Sequence, residues 1–258
     1  HRGRFGGQIP ENTISSCEFA LRYGADIVEV DVARTKDGGL VLMHGPEVDI
    51  LTTGHGLVKE HIFQEIRDLR IRSSVRQIMD KQVNSLDEFL EHFKGKGIIN
   101  LDRCWDYMDE VFDAVKRHGM ADQIIFKTPK PVADSIKWLA SRNFEPNFMP
   151  IIKKYEQIER LMVSPHKDKI SAVELVFHDE NSRLIASETI KMLHDNDIKV
   201  WVNPLTINEP LVGGHDDTIS VLGNMDDGWG WLVDRGADIL QTDFVTELNL
   251  YLTEKELR

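Results

Sequence analysis

Cysteine is nearly absent from this chain: Cys17 and Cys104 are the only two among 258 residues. Two cysteines cannot build a disulfide framework, and neither stands at the spacing of a metal knuckle, so both are expected as buried apolar residues. Their number leaves the compartment open. No apolar run approaches the roughly 20 residues a membrane span requires, so no stable membrane insertion is expected, and no signal peptide is read at the start. Positive charge is scarce as well: 31 Lys and Arg against 43 Asp and Glu leave a net charge of −12. Phosphate backbones and anionic lipid surfaces are held by surplus Lys and Arg, so this deficit argues against nucleic acid as the main partner and against docking on anionic lipid. Short-period repeats, low-complexity tracts and Pro-rich linkers are missing too, and nothing divides the chain. What is present is an ordinary balance, 41% hydrophobic and 29% charged, in a length that suits one α/β barrel domain.

Helix and strand patterns alternate, the sequence sign of a parallel sheet with crossover helices. A helix from about Thr13 stops at Gly24, and a strand follows at Ile27–Val32. Ser85-Leu86-Asp87-Glu88 is a capping box that opens a helix, with a strand at Gly97–Asp102 behind it. Tyr107 to His118 reads as a helix closed by Gly119, before a strand at Ile124–Lys127. Further strands are expected at Phe148–Ile152, Ala172–Phe177, Val200–Asn203 and Ile239–Thr242, with helices near 131–142, 155–163, 184–195 and 225–235 and a last one from about Thr246. Gly24-Ala25-Asp26-Ile27 and Gly236-Ala237-Asp238-Ile239 echo each other as helix stop, buried strand and terminal acid. The pattern is that of a TIM (β/α)8 barrel spanning residues 1–258. Seven strands are visible, so strand one is expected upstream of residue 1, with His1 at its end. Residues 45–80 break the alternation and read as a small inserted subdomain after the second strand.

The chemistry concentrates between residues 29 and 44. Side chains two apart on a strand share a face, so Glu29 and Asp31 point together, and adjacent carboxylates repel unless a cation lies between them. Lys36-Asp37-Gly38-Gly39 supplies a tight turn, and Leu40 to Met43 run back to set His44 beside the acids. Each strand ends in a polar group: His1, Glu29 and Asp31, Asp102, Lys127, Lys153 and Lys154, Glu174, Asn203, Asp243. Glu29, Asp31 and Asp102 offer a hard, all-oxygen site suited to Mg²⁺ or Ca²⁺ and not to Zn²⁺. His1 and His44 are candidates for general acid and base, and Arg2 for a phosphate clamp. His61, His92, His118, His166 and His194 read as surface residues, while His55, His178 and His215 fall on loops near the proposed mouth. Residues 204–224, with Gly213-Gly214-His215-Asp216-Asp217, are a candidate lid or specificity loop.

His1-Arg2-Gly3, Pro10-Glu11-Asn12-Thr13, Glu29-Val30-Asp31, Thr35-Lys36-Asp37-Gly38, His44 and Thr52-Thr53-Gly54-His55-Gly56 together resemble the signature of the glycerophosphodiester phosphodiesterase family, with weaker echoes at Trp201 and Thr242-Asp243. The resemblance implies a TIM barrel with a small insertion, and metal-dependent hydrolysis of glycerophosphodiesters to glycerol 3-phosphate and an alcohol. It implies one divalent cation, Mg²⁺ or Ca²⁺, on Glu29 and Asp31, the two histidines at His1 and His44, and the phosphate-binding arginine at Arg2. Three positions depart from the family pattern. Gly45 follows His44 where Asp is usual, and Asp102 stands in the place of the third metal ligand, usually Glu. Asp102-Arg103-Cys104 also lacks the lysine of the family's Glu-x-Lys. By strand alternation Arg103 is expected on the opposite face, which leaves Lys127 to supply the missing positive charge, while Trp201 is a candidate to lie against the glycerol. Two other readings stand beside this one. A lysophospholipid or glycan phosphodiester would be the substrate if Ile50, Leu51, Leu57, Ile62 and Phe63 form an apolar groove. Loss of the Glu and the Lys would instead suit a non-catalytic barrel that binds phosphate ligands.

Overall fold

The computed structural model describes residues 1–142 and 147–258, and the chain falls into two compact units, His1–Phe126 and Lys127–Arg258. The first unit runs α1 (Ile14–Arg22), β1 (Ile27–Arg34), β2 (Leu40–Leu42), α2 (Phe63–Asp68), β3 (Arg70–Arg72), β4 (Ile78–Gln82), α3 (Leu86–Phe93), β5 (Ile98–Asp102), α4 (Met108–His118) and β6 (Ile124–Thr128). The last two residues of β6 belong to the second unit.

Local chemistry accounts for these elements. Thr13 caps α1 by accepting a hydrogen bond from the Ser16 amide, and Ser16 answers by accepting from the Thr13 amide, a capping box made of two hydroxyls. The expected box at Ser85 and Glu88 opens α3, whose Leu86, Phe89, Leu90 and Phe93 are all buried at helical spacing. Burying each of those side chains is worth about 1.5–3 kcal/mol, far more than the cap, so packing holds the helix and the cap sets its start. In α4 the acids Asp109 and Glu110 lie in the first turn and Lys116, Arg117 and His118 in the last, matching the helix dipole. Gly119 ends it at φ +62°.

In the first unit β5 lies between β1 and β6, all three parallel, and β2 pairs antiparallel with β1. Val30, Val32, Ile99, Leu101 and Phe126 are buried on these strands. β1 is longer than its apolar pattern indicates: Ala33 and Arg34 stay in the sheet because Val41 and Leu40 pair with them. Between His44 and β4 the chain builds its own apolar cluster of Val48, Val58, Ile66 and Ile71, continuous with Val41 and Met43 at β2 and with Val83. The antiparallel pair β3 and β4 in this segment carries no signal in the sequence, because most of its residues are exposed and it buries little apolar area.

The second unit continues with α5 (Val132–Ala140), β7 (Asn147–Ile152), α6 (Tyr155–Met162), β8 (Ala172–Leu175), α7 (Ser187–His194), β9 (Lys199–Val202), α8 (Trp231–Asp234), β10 (Ile239–Leu240) and α9 (Val245–Glu254). β7 to β10 pair in chain order and all in parallel. Seven parallel strands, three in the first unit and four in the second, therefore stand where the apolar runs predict them. The helix expected at 225–235 is built of two contiguous pieces, a π-helical turn at Asp226–Gly230 and α8, and another π-helical turn at Ile219–Gly223 precedes them. Among the described residues no helix is long and apolar enough to cross a membrane.

Candidate active site

Strand geometry assembles the acids. On β1, Glu29 and Asp31 share a face and are 2% and 1% exposed. Parallel register sets Glu29 beside Asn100 and Asp31 beside Asp102 on β5. One carboxylate oxygen from each of Glu29, Asp31 and Asp102 lies within 4.8 Å of the others. The three residues named from the sequence as cation ligands are thus brought together.

The first thirteen residues wrap this cluster. The Arg2 amide donates to Glu29 Oε2 at 2.7 Å and the Gly3 amide to the Glu29 carbonyl at 3.1 Å. Arg2 and Gly3 both adopt left-handed backbone, with φ of 51° and 70°. Gly3 also has no room for a side chain, because a Cβ there would lie 2.5 Å from the Ser16 carbonyl carbon and 2.7 Å from the Cys17 amide nitrogen. Asn12, left-handed at φ 53°, grips Asp31 twice: its Nδ2 donates to Asp31 Oδ2 at 3.0 Å, and its Oδ1 accepts from the Asp31 amide at 2.8 Å. The Pro10-Glu11-Asn12-Thr13 motif therefore holds the Asp31 carboxylate through Asn12, anchors Arg2 through Glu11 at 3.0 Å and caps α1 through Thr13. Residue chemistry alone gave Asn12 and Glu11 no role; their place in the family motif was the available signal.

Two guanidiniums face the acids. Arg2 Nε is 3.5 Å from Asp31 Oδ2, and Arg103 Nε is 3.1 Å from Asp31 Oδ1. Arg103 contradicts the alternation argument that sends it to the opposite face. The strand ends at Asp102, and Arg103 turns left-handed at φ 58° with its amide bound to Asp102 Oδ1 at 2.6 Å. Alternation holds only for extended backbone, and this single turn swings the side chain back over the cluster.

His44 arrives as expected. β2 returns along β1 in the register Val32 with Leu42, and the Met43 amide donates to the Asp31 carbonyl at 3.0 Å. Gly39 makes the return possible, since a Cβ there would strike the Phe63 ring at 2.4 Å. Burial lowers the His44 pKa from 6.5 to about 4; the nearby Asp31 charge opposes this, and the charges of Arg2, Arg103 and His1 add to it. The imidazole is therefore neutral at pH 7. His1 and His44 are each half-buried. His55 instead pairs with Asp49 on the surface, its Nδ1 2.9 Å from Oδ1. His178 Nδ1 lies 2.5 Å from the Pro210 carbonyl oxygen, and the His215 ring stacks on Trp231 at 3.7 Å. Cys17 and Cys104 are fully buried, and burial raises the Cys17 thiol pKa, so both behave as the apolar residues expected.

In the second unit Lys127 is 2% exposed and donates to Glu174 Oε2 at 3.0 Å, a partner the sequence reading did not assign. Trp201 is equally buried, with its indole N–H on Asn203 Oδ1 at 2.7 Å. Residues 204–224 are pinned rather than free, by Val212 at 0% exposure, Ser220 and, above all, Asp217. Asp217 Oδ1 accepts from Trp229 Nε1 and Thr242 Oγ1, both at 2.8 Å, and its Oδ2 accepts from the Asp243 amide at 3.0 Å.

The acid cluster fits a hard divalent cation. Three carboxylates, two of them buried, meet there, and hard oxygen donors are what Mg²⁺ and Ca²⁺ take. Asn100, buried on the strand face it shares with Asp102, has neither side-chain polar atom hydrogen-bonded, and the water shell of a bound cation would supply such partners.

The family model described as "Glycerophosphoryl diester phosphodiesterase family" matches residues 1–247. A glycerophosphodiester phosphodiesterase of Bacillus subtilis (strain 168) is 37% identical over 102 residues, which are 36% of this chain and 34% of that protein. A crystal structure of a glycerophosphoryl diester phosphodiesterase from Parabacteroides distasonis superposes with a TM-score of 0.81 at 19% identity, over 99% of this chain and 85% of that one. An Oleispira antarctica phosphodiesterase, solved in complex with its product sn-glycerol-3-phosphate, superposes with a TM-score of 0.70 at 20% identity, over 98% and 95% of the two chains. The chain belongs to the glycerophosphoryl diester phosphodiesterase family: it has the family's TIM-barrel fold and is a phosphoric diester hydrolase.

Proposed function

We propose that this protein hydrolyses glycerophosphodiesters to sn-glycerol 3-phosphate and an alcohol, with His1 and His44 dividing the acid and base work and one Mg²⁺ or Ca²⁺ held by Glu29, Asp31 and Asp102. The observation that carries the reading is the meeting of three carboxylates within 4.8 Å with Asp31 under two guanidiniums, and with His44 close enough to feel Asp31, Arg2, Arg103 and His1. The product bound by the Oleispira antarctica neighbour supports the same substrate class.

In this reading the attacking oxygen, from water or from the substrate's own glycerol hydroxyl, gives its proton to one imidazole and forms a new P–O bond. The P–O bond to the leaving alcohol breaks, and the other imidazole donates the proton that oxygen needs. If the glycerol hydroxyl attacks first, the cyclic diester that results is opened by water in a second passage through the same pair. Arg2 matches phosphate oxygens with paired N–H donors, and Glu11 keeps its guanidinium aligned. A divalent cation bound at the carboxylates would neutralise phosphate charge and polarise a phosphoryl oxygen.

Small soluble diesters suit the surface better than lipids. Of the residues an apolar groove would need, Leu51 and Phe63 pack against the buried cluster around Ile66. Ile50 and Leu51 do line a cleft of about 180 Å³ with Phe5, but Glu11, Arg72, Ser73, Ser74 and Arg76 line it too.

The test is release of sn-glycerol 3-phosphate from glycerophosphocholine and glycerophosphoethanolamine, first in EDTA and then with Mg²⁺ or Ca²⁺, beside His44→Ala. Release that needs the cation and falls about 10²–10⁴-fold in the variant is expected. No release from any diester by a protein that binds the cation tightly would leave a phosphate-binding barrel without turnover.

A further inference from the structure

We propose that Arg103 is a second phosphate-binding residue of this site, stored on Asp31 as a counter-ion until a divalent cation takes that carboxylate. The inference rests on the diesterase reading of the same site. Both oxygens of Asp31 are engaged by cationic groups: Oδ1 by Arg103 Nε at 3.1 Å, and Oδ2 by Arg2 Nε at 3.5 Å together with the Asn12 amide at 3.0 Å. A guanidinium and a divalent cation on one carboxylate repel at such range, so loading the cation must displace one of them.

The two arginines are not equally placed to leave. The Arg2 side chain is 18% exposed, its backbone amide is fixed to Glu29 and its guanidinium to Glu11. The Arg103 side chain is 46% exposed, and among the described residues its ion-pair partner is Asp31. Its long stem can swing the head away without moving the backbone. That backbone is itself informative. A left-handed arginine at φ 58° is strained backbone, and such conformations are found where a site requires them. Here the turn's effect is to aim a guanidinium at the acid cluster from the strand end that also carries Asp102. Once the cation covers Asp31, that planar fork can take the oxygens of a phosphodiester or phosphate monoester bound on the same cluster. Arg103 then supplies the positive charge whose usual lysine this chain lacks, from the residue before the lysine's position.

The exchange predicts effects of opposite sign from one substitution. Calorimetric titration of Ca²⁺ or Mg²⁺ into the protein without substrate should give about tenfold tighter binding for Arg103→Gln than for wild type, because one competitor for Asp31 is gone. With the cation saturating, sn-glycerol 3-phosphate should bind about tenfold more weakly to the same variant, and Arg103→Lys should fall between. In turnover, KM for glycerophosphocholine should rise more than kcat falls. Cation affinity that is unchanged or weaker in Arg103→Gln overturns the counter-ion role. Tighter cation binding with unaltered affinity for glycerol 3-phosphate overturns the phosphate role. A wild type that shows the calorimetric pattern yet cleaves no diester would refute the diesterase reading and leave the exchange standing.

Discussion

Replacing Asp217 by Asn should make the protein gain stability relative to wild type as pH rises from acid to neutral. Asp217 is 1% exposed, and burial lifts its pKa from 3.8 to about 6 despite hydrogen bonds from Trp229, the Asp243 amide and Thr242 that favour the charged form. A raised acid binds its proton more tightly in the folded state than in the unfolded one. Its contribution to stability is therefore most favourable below about pH 4 and declines as pH rises through 6. A rise from 3.8 to about 6, at about 1.4 kcal/mol per unit, is on the order of 3 kcal/mol over the whole titration, and roughly 2 kcal/mol of it falls between pH 4.5 and 7.5. Asn removes the titration, but its amide nitrogen cannot accept a hydrogen bond as the Asp217 oxygens do, so it carries a pH-independent cost of about 1–3 kcal/mol. Relative to wild type, the Asp217→Asn variant should therefore gain roughly 2 kcal/mol of stability between pH 4.5 and pH 7.5, whatever its offset at either pH. Urea unfolding followed by far-UV circular dichroism at the two pH values measures this, and comparing the two proteins cancels the other titrating groups. The opposite outcome, a variant that loses ground as pH rises, would mean that the three donors outweigh burial and that the carboxylate is the stable form.

Two further expectations follow from packing and pairing. Gly3→Ala forces an L side chain into left-handed backbone and drives its Cβ to 2.5 Å from the backbone of α1, a cost of about 2–4 kcal/mol in urea unfolding; a loss under about 1 kcal/mol would show that α1 can yield there. Lys127→Ala strips a buried partner from Glu174 and should cost about 3–5 kcal/mol, whereas Lys127→Met combined with Glu174→Leu should fold within about 2 kcal/mol of wild type. In the folded double variant, retained turnover would remove the substrate role expected of Lys127, since neither side chain of the pair remains.

Extended backbone and its helical counterpart were legible in the sequence, and so was everything that depends on them alone. Alternation put Glu29 and Asp31 on one face, the turn at Gly38 and Gly39 returned His44, and apolar runs located all seven parallel strands. The capping box at Ser85 located the start of its helix. Periodicity could not reach pairings over long separations, such as Lys127 with Glu174 or Asp217 with Thr242, because nothing local marks the partner. Nor could it reach Arg103, and this failure has a physical form. Among the described residues six other than glycine have positive φ, and three of them, Arg2, Asn12 and Arg103, touch Asp31 or Glu29. Left-handed residues are where a chain leaves its sheet or helix and where the two-residue period stops applying. The Asp31 carboxylate is held from three such points, so the charges that set its chemistry come from positions at which strand alternation makes no valid prediction. For a site built at strand ends, the residue just past the last extended one should be read with both faces open, and Arg103 is the case in which that choice changes the proposed phosphate site.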